Sequence, residues 1–452
     1  MKKLFYSILV TSVLAITLSC TMGDGPTYSS GSQGSGGDGG NGGGGNVNSD
    51  PVIISSLPDG ITPGDGPSTQ HAISPDGTKV VFSSAANNFG AGGQYQIYLV
   101  DLNNILQLPL LLSSTADGTT PGNGSSYAPS FSPDGTKVVF RSNSSNFGYG
   151  GGANSQIFMV DLNNLNQLPQ LLSTLADGTT PSNGYCNYPS FSPDGNKVIF
   201  NSTAINFGSP SGKNQIYMVE LNNLNQNPQL LSSLADGTTP GDDSSFAPHF
   251  RPDGNFVIFS SKAFNFGAGG VYQIYMVDLN NLNQSPLLLS SLADGVTTGN
   301  GSSMLGTFNP SGTHVVFRSN ASNFGSSLYQ SYRVEIANLN QSPELLSTTD
   351  GVTPGDGDSY EPIFSNDGNK VSFSSRALNF GSLGQFQIVT KNLLDLSEPP
   401  VIISTLADGI TQGNSTSSYP RFTLNDSNII FSSNATNLTN GQANYQILLK
   451  EL

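Results

Sequence analysis

Residues 109–164 read PLLLSSTADGTTPGNGSSYAPSFSPDGTKVVFRSNSSNFGYGGGANSQIFMVDLNN. Four short runs in this stretch have strand character: PLLLS (109–113), YAPSFS (127–132), KVVFRS (137–142) and QIFMVDL (156–162). They are rich in β-branched and aromatic residues, and none sustains a helical period. Pro133-Asp134-Gly135 supplies the turn between the second and third runs, since Pro presets φ and Asp and Gly accept tight-turn backbone.

The unit recurs along the chain. The aspartate of the ADG block returns as Asp59, Asp117, Asp177, Asp236, Asp294, Asp350 and Asp408, with spacings of 58, 60, 59, 58, 56 and 58 residues. The aromatic closing KVVF returns in step, as Phe82, Phe140, Phe200, Phe259, Phe317, Phe373 and Phe431. Four strands per repeat of this length is the pattern of a propeller blade, whose two apolar faces need neighbours on both sides. The sequence therefore predicts an all-β fold: a seven-bladed β-propeller with four antiparallel strands per blade. The last repeat ends at QILLKEL (446–452) with no outer strand after it, whereas PVIISS (51–56) stands spare at the start. The N-terminal strand is thus expected to close the last blade beside 446–452, leaving no free edge.

SPDGTKVVF followed by QIYMVDL-type strands is similar to the Pro-Asp-motif repeats of TolB-type and WD-like bacterial propellers, over residues 51–452. That family includes periplasmic partner-binding subunits and the propeller halves of some peptidases. This chain departs from TolB in having seven copies rather than six and in lacking the TolB N-terminal domain. The motif decays at Ser311 and at Asn425-Asp426.

The start of the chain reads as a targeting segment. Lys2 and Lys3 precede an apolar run from Leu4 to Leu18, and Ser19 precedes Cys20. Leu18-Ser19-Cys20 resembles the bacterial lipobox, in which the Cys is lipidated; Thr17 departs from the usual Leu. Residues 1–20 are read as a lipoprotein signal peptide, 21–50 as a disordered Gly/Ser/Asn-rich tether, and 51–452 as the propeller. A flexible chain of about 30 residues spans roughly 30 Å. Thr21 rather than Asp after the Cys favours the outer membrane, by resemblance to known export rules.

Net charge is −15, and −17 once Lys2 and Lys3 leave with a leader. A chain this acidic, without a Lys/Arg stripe, excludes nucleic acid as a partner and limits membrane contact to the lipid anchor. Cys186 remains as a lone thiol.

The two long loops of each repeat, ADGTTPGNGSS and NSSNFGYGGGAN, are expected on one face of the ring. They carry a repeated polar set: Asp59, Asp117, Asp236 and Asp350 in the first block, and Asp65, Asn123, Asp242 and Asp356 a few residues on. These residues could hold Ca²⁺ through oxygen ligands. Alternatively they cap their own turns, the reading favoured for a residue that every blade carries. Asn146 and Gln156 with their equivalents fall under the same argument. Function is expected where the copies differ, at the inner-strand positions facing the channel. Ala128 is matched by Gln70, Tyr188, Ala247, Leu305, Glu361 and Tyr419, and Ser130 by Ala72, Ser190, His249, Thr307, Ile363 and Arg421. His249, Glu361, Tyr419 and Arg421 are the candidate channel-mouth binding residues.

Catalytic constellations are missing from the sequence. His71, His249 and His314 occupy different repeat positions, so no His pair is implied, and no GxSxG elbow occurs. No catalytic residue, resident cofactor or metal is assigned. The resulting expectation is a monomeric, lipid-anchored, non-catalytic scaffold in the bacterial envelope that binds a protein or peptide. The alternatives are a Ca²⁺-stabilised adhesin and a channel-sited lyase or hydrolase.

Overall fold

The computed structural model describes residues 49–149, 154–209 and 212–452. The signal peptide, Cys20 and most of the expected tether lie outside the described residues. Seven four-stranded antiparallel sheets form the propeller. In the second blade, strand a is Ser126–Phe131, b is Lys137–Ser142, c is Gln156–Asp161 and d is Gln170–Leu171. The Pro-Asp-Gly turn joins a to b, and the residues of PLLLS form strand d of the first blade, shortened to Leu110–Leu111. The strand is brief because its pairing passes from backbone to side chain: Ile97 N–H donates to Ser113 Oγ at 2.8 Å.

Strand b explains the unbroken apolar run in KVVF. Val80, Val81 and Phe82 are all fully buried, so this strand has no solvent face. Successive side chains point to opposite faces, and each face meets an adjacent blade. The core accordingly lies between blades. One cluster joins Val80, Phe82 and Tyr98 of the first blade to Ile430 and Ile447 of the seventh and to Ile54. Burying a side chain of this size contributes roughly 1.5–3 kcal/mol.

The ring closes through its own first strand, as expected. Val52 pairs with Leu449 and Ile53 with Leu448, completing the seventh blade. Around this clasp Lys450 Nζ donates to Ser49 O at 2.6 Å, and Ala407 N–H to Asp50 Oδ1 at 2.7 Å.

The repeated glutamine links blades. Gln96 Oε1 accepts from Ser113 Oγ at 2.6 Å, and its Nε2 donates to Gly122 O at 2.8 Å and Gly124 O at 3.2 Å in the loop entering the next blade. Gln215, Gln273, Gln330, Gln387 and Gln446 repeat the arrangement. Close approach at this loop requires glycine: a Cβ on Gly184 would stand 2.4 Å from Ala204 N.

Candidate functional site

Strand a runs from the long-loop face toward the Pro-Asp-Gly face, and it is not a regular strand. In every blade its pairing with strand b slips at a bulge, between Thr69 and Ala72 in the first and between Ser418 and Arg421 in the seventh. At each bulge a non-glycine residue holds positive φ: Gln70, Ala128, Tyr188, Ala247, Leu305, Glu361 and Tyr419, with φ between 51° and 59°. Left-handed backbone costs an L-residue roughly 1–2 kcal/mol. A bulge re-aims side chains, and here it turns the bulged residue and the one two positions later into the channel.

The result is a cavity of about 440 Å³ in the channel, lined by the inner strands. It is lined by every one of the varied inner-strand positions except Ile363, which packs against the hydrophobic cluster around Phe422 and Ile53. His249, Glu361, Tyr419 and Arg421 all face this one cavity. Two further residues join them, His71 and Arg318. His71 stands where five other copies have proline (Pro129, Pro189, Pro248, Pro362 and Pro420), and Arg318 comes from strand b. Different repeat positions on one inner strand still reach one channel, so the inference that no two histidines share a site is corrected.

Glu361 has a defined place. Its Oε2 accepts the Tyr419 backbone N–H at 2.7 Å and Ser374 Oγ–H at 3.3 Å. Gln70 does the same for its neighbour, accepting Ala128 N–H at 3.0 Å through Oε1. Burial pushes the Glu361 carboxyl above the ordinary glutamate value, with Tyr419 N–H, Arg421 and Arg318 pulling the other way. His249 presents an exposed ring to the channel yet is crowded by protein, and desolvation with the field of Arg421 lowers its pKa to about 4. His71 is buried, its Nε2 3.3 Å from Ile430 O, and desolvation holds it at about 3. Both rings are neutral at pH 7. Desolvation pushes the Tyr419 phenol up to about 12.

The repeated loop residues are engaged in the frame. In Asp117 one carboxylate oxygen accepts Thr119 N–H and Thr120 N–H at 2.9 and 2.8 Å, and the other accepts Thr120 Oγ–H at 2.5 Å. Asp59, Asp236 and Asp350 cap their turns in the same way. Asp236 is lowered to about 2, first by its Thr239 hydroxyl bond. Asn123 Oδ1 accepts Ser145 N–H at 2.7 Å and Asn146 Oδ1 accepts Asn123 N–H at 3.0 Å, a clasp between the two loops. Asp65, Asp242 and Asp356 form this clasp with Asn88, Asn265 and Asn379. The two loops do share a face. Their oxygens accept hydrogen bonds within the turns and between the two loops. Among the described residues no group of three or more His, Cys, Asp or Glu could hold a metal ion.

The fold and cavity define a closed seven-bladed propeller with a pocket of polar and apolar residues in its channel. No family model matches this sequence, and no curated protein matches it. Among solved structures the chain is similar to an oligogalacturonate lyase from Vibrio parahaemolyticus, at TM-score 0.56 and 15% identity over 86% of this chain and 92% of that one. It is similar to an oligogalacturonate lyase in complex with manganese, at TM-score 0.55 and 16% identity over 90% and 96% of the two chains. TolB from Agrobacterium tumefaciens matches at TM-score 0.41 and 18% identity over 63% and 81%. At these identities the shared property is the propeller fold.

The comparison corrects one expectation. From the absence of a GxSxG elbow and of a histidine pair, the sequence predicts no enzyme. The two lyases superpose over nearly their whole length on this chain, so a propeller alone is a sufficient frame for catalysis. The missing motifs belong to other folds and do not bear on this one.

Proposed function

We propose that this protein is an envelope-tethered propeller that takes an acidic segment of a protein or peptide partner into the channel mouth on its long-loop face. One observation carries the reading: residues that differ between blades converge on one cavity, whereas those that repeat are engaged in the frame. A pocket of about 440 Å³ is in the usual range for ligand sites. Arg318 and Arg421 give it positive charge within an acidic molecule. Anchoring at Cys20, an outer-membrane location and a monomeric state belong to the same proposal and rest on the sequence. Chemical crosslinking in intact cells tests it. A Tyr188→Ala/Tyr419→Ala variant should lose the crosslinked partner, while Asp134→Asn on the opposite face keeps it. Equal crosslinking in both would reject the mouth as the site.

A second reading is favoured by the titratable set. A carboxyl pushed up, two histidines held neutral and a guanidinium in one cavity are the ingredients of acid–base chemistry. With lyases among the similar structures, oligogalacturonate is the first substrate to try. Ultraviolet absorbance from a conjugated double bond, lost in His249→Gln, would establish this reading; no absorbance change with any polyuronide would remove it.

A further inference from the structure

Among the described arginines, Arg318 and Arg421 are the two that line the cavity, and neither is neutralised by an ion pair. Arg251, Arg333 and Arg376 each meet a carboxylate, as do Lys79 and Lys262. No such ion pair is formed by Arg318 or Arg421 among the described residues. Arg318 is held by aromatic faces instead: its guanidinium carbon lies 5.2 Å from the Tyr329 ring centre and 4.7 Å from that of Tyr360. Stacking fixes the plane without consuming N–H donors, and its Nε is buried with no partner. Arg421 donates through Nη1 to Pro420 O at 2.7 Å, leaving further donors of its fork in the cavity. The nearby negative charge is Glu361, which influences both guanidiniums through space while its Oε2 stays committed to Tyr419 N–H.

We infer that Arg318 and Arg421 form an anion site for a compact oxyanion group, carboxylate, phosphate or sulfate, with Glu361 as its built-in electrostatic competitor. The inference rests on the channel mouth being the binding site and names the chemistry recognised there. An anion entering the cavity gains charge-assisted bonds from two preorganised guanidiniums and is opposed by the Glu361 carboxylate. Protonating Glu361 removes that opposition, so affinity rises as pH falls. The groups facing Glu361 leave this assignment clear. Strand a of the seventh blade presents Tyr419 and Arg421, strand b of the fifth Arg318, and its own blade Ser374; Tyr445, just before strand c of the seventh blade, feels its charge. Arg376 is occupied by Asp358. His71 and His249 change charge only near their depressed values of about 3 and about 4.

Titration calorimetry on the purified full-length protein tests this, with sulfate and lactate as probes, at about pH 5 and 9 in low salt, where both probes keep fixed charge. The wild type should bind one or both more tightly at the lower pH, the better probe identifying the headgroup class. Glu361→Gln should bind about tenfold tighter at the higher pH and lose its pH dependence. Gln70 makes the same backbone bond from the equivalent position, so this variant keeps the fold. Arg318→Gln and Arg421→Gln should each weaken binding at least about tenfold, with Arg333→Gln, paired to Glu344 outside the cavity, unchanged. Failure of the wild type to bind either probe, or a Glu361→Gln affinity equal to wild type at both pH values, overturns the anion site. If anion binding fails while the partner still crosslinks through the mouth, the anion site falls alone. If anions bind and crosslinking is indifferent to Tyr188 and Tyr419, the partner reading falls alone.

Discussion

The long-loop turns and the inner strands of this propeller lie close together, yet they use polar residues in opposite ways. In the turns, Asp117 and its equivalents spend both carboxylate oxygens on their own backbone and a threonine hydroxyl, and each blade repeats the bonds. On the inner strands, polar groups differ from blade to blade and some keep unspent bonding capacity, as at Arg318 Nε and His71 Nδ1. Repetition marks the frame, and departure from repetition marks the lining of the cavity.

The contrast can be broken hardest at the frame's seam. Removing residues 49–56 takes away buried Ile53 and Ile54 and the Ser55–Gln446 link, and exposes the edge of the seventh blade. The expected loss is more than ~5 kcal/mol in chemical denaturation, enough to abolish cooperative unfolding of the closed ring. A smaller break is Gln273→Leu, which strands Ser290 Oγ and the carbonyls of Gly299 and Gly301. Its cost should be about 2–4 kcal/mol by the same measurement, whereas Tyr419→Ala at the mouth should change stability far less.

His71 sharpens the comparison by pH, since it is a mouth residue buried like a frame residue. Its folded pKa of about 3 lies below the ordinary 6.5, so the unfolded chain binds the extra proton first as pH falls. The stability it supports is intact above about pH 6.5 and is lost progressively toward pH 3, by ~2 kcal/mol at pH 5. His71→Gln should flatten that portion of a stability-against-pH curve. The smallest effect is expected at one turn: Asp236→Asn should lower Tm by about 1–2 °C, since six equivalent turns remain.

Most of the frame was legible because period and strand length are local properties. The spacing of Asp59 to Asp408, the spare strand at 51–56 and the sharing of a face by the two loops all follow from sequence, and the structure has them. The site was half legible. Differences between copies picked out His249, Glu361, Tyr419 and Arg421, but alternation along a regular strand carries no sign of a bulge. The positive φ at seven non-glycine residues was therefore invisible, and with it the reach of His71 into the cavity. Arg318 was missed because strand b reads as core; its signal is a charged residue where four copies have serine at Ser83, Ser260, Ser374 and Ser432, but Arg141 of the second copy carries the same signal and does not line the cavity. The expectation of no enzymatic activity failed for a different reason: motifs of other folds cannot report on chemistry that a propeller channel builds from separate blades.

The same face offers a rival surface, which makes a decisive test available. Ile61, Val296, Val352 and Ile410 project from the turn tips at 66%, 76%, 81% and 81% exposure, an apolar arc outside the channel. Photo-crosslinking groups placed singly at 188, 305 and 419, and at 61, 296, 352 and 410, would map where the partner sits. The account predicts that crosslinks to one partner concentrate at the three channel positions and fade along the arc. A profile that peaks on the arc and is silent at the channel would contradict it.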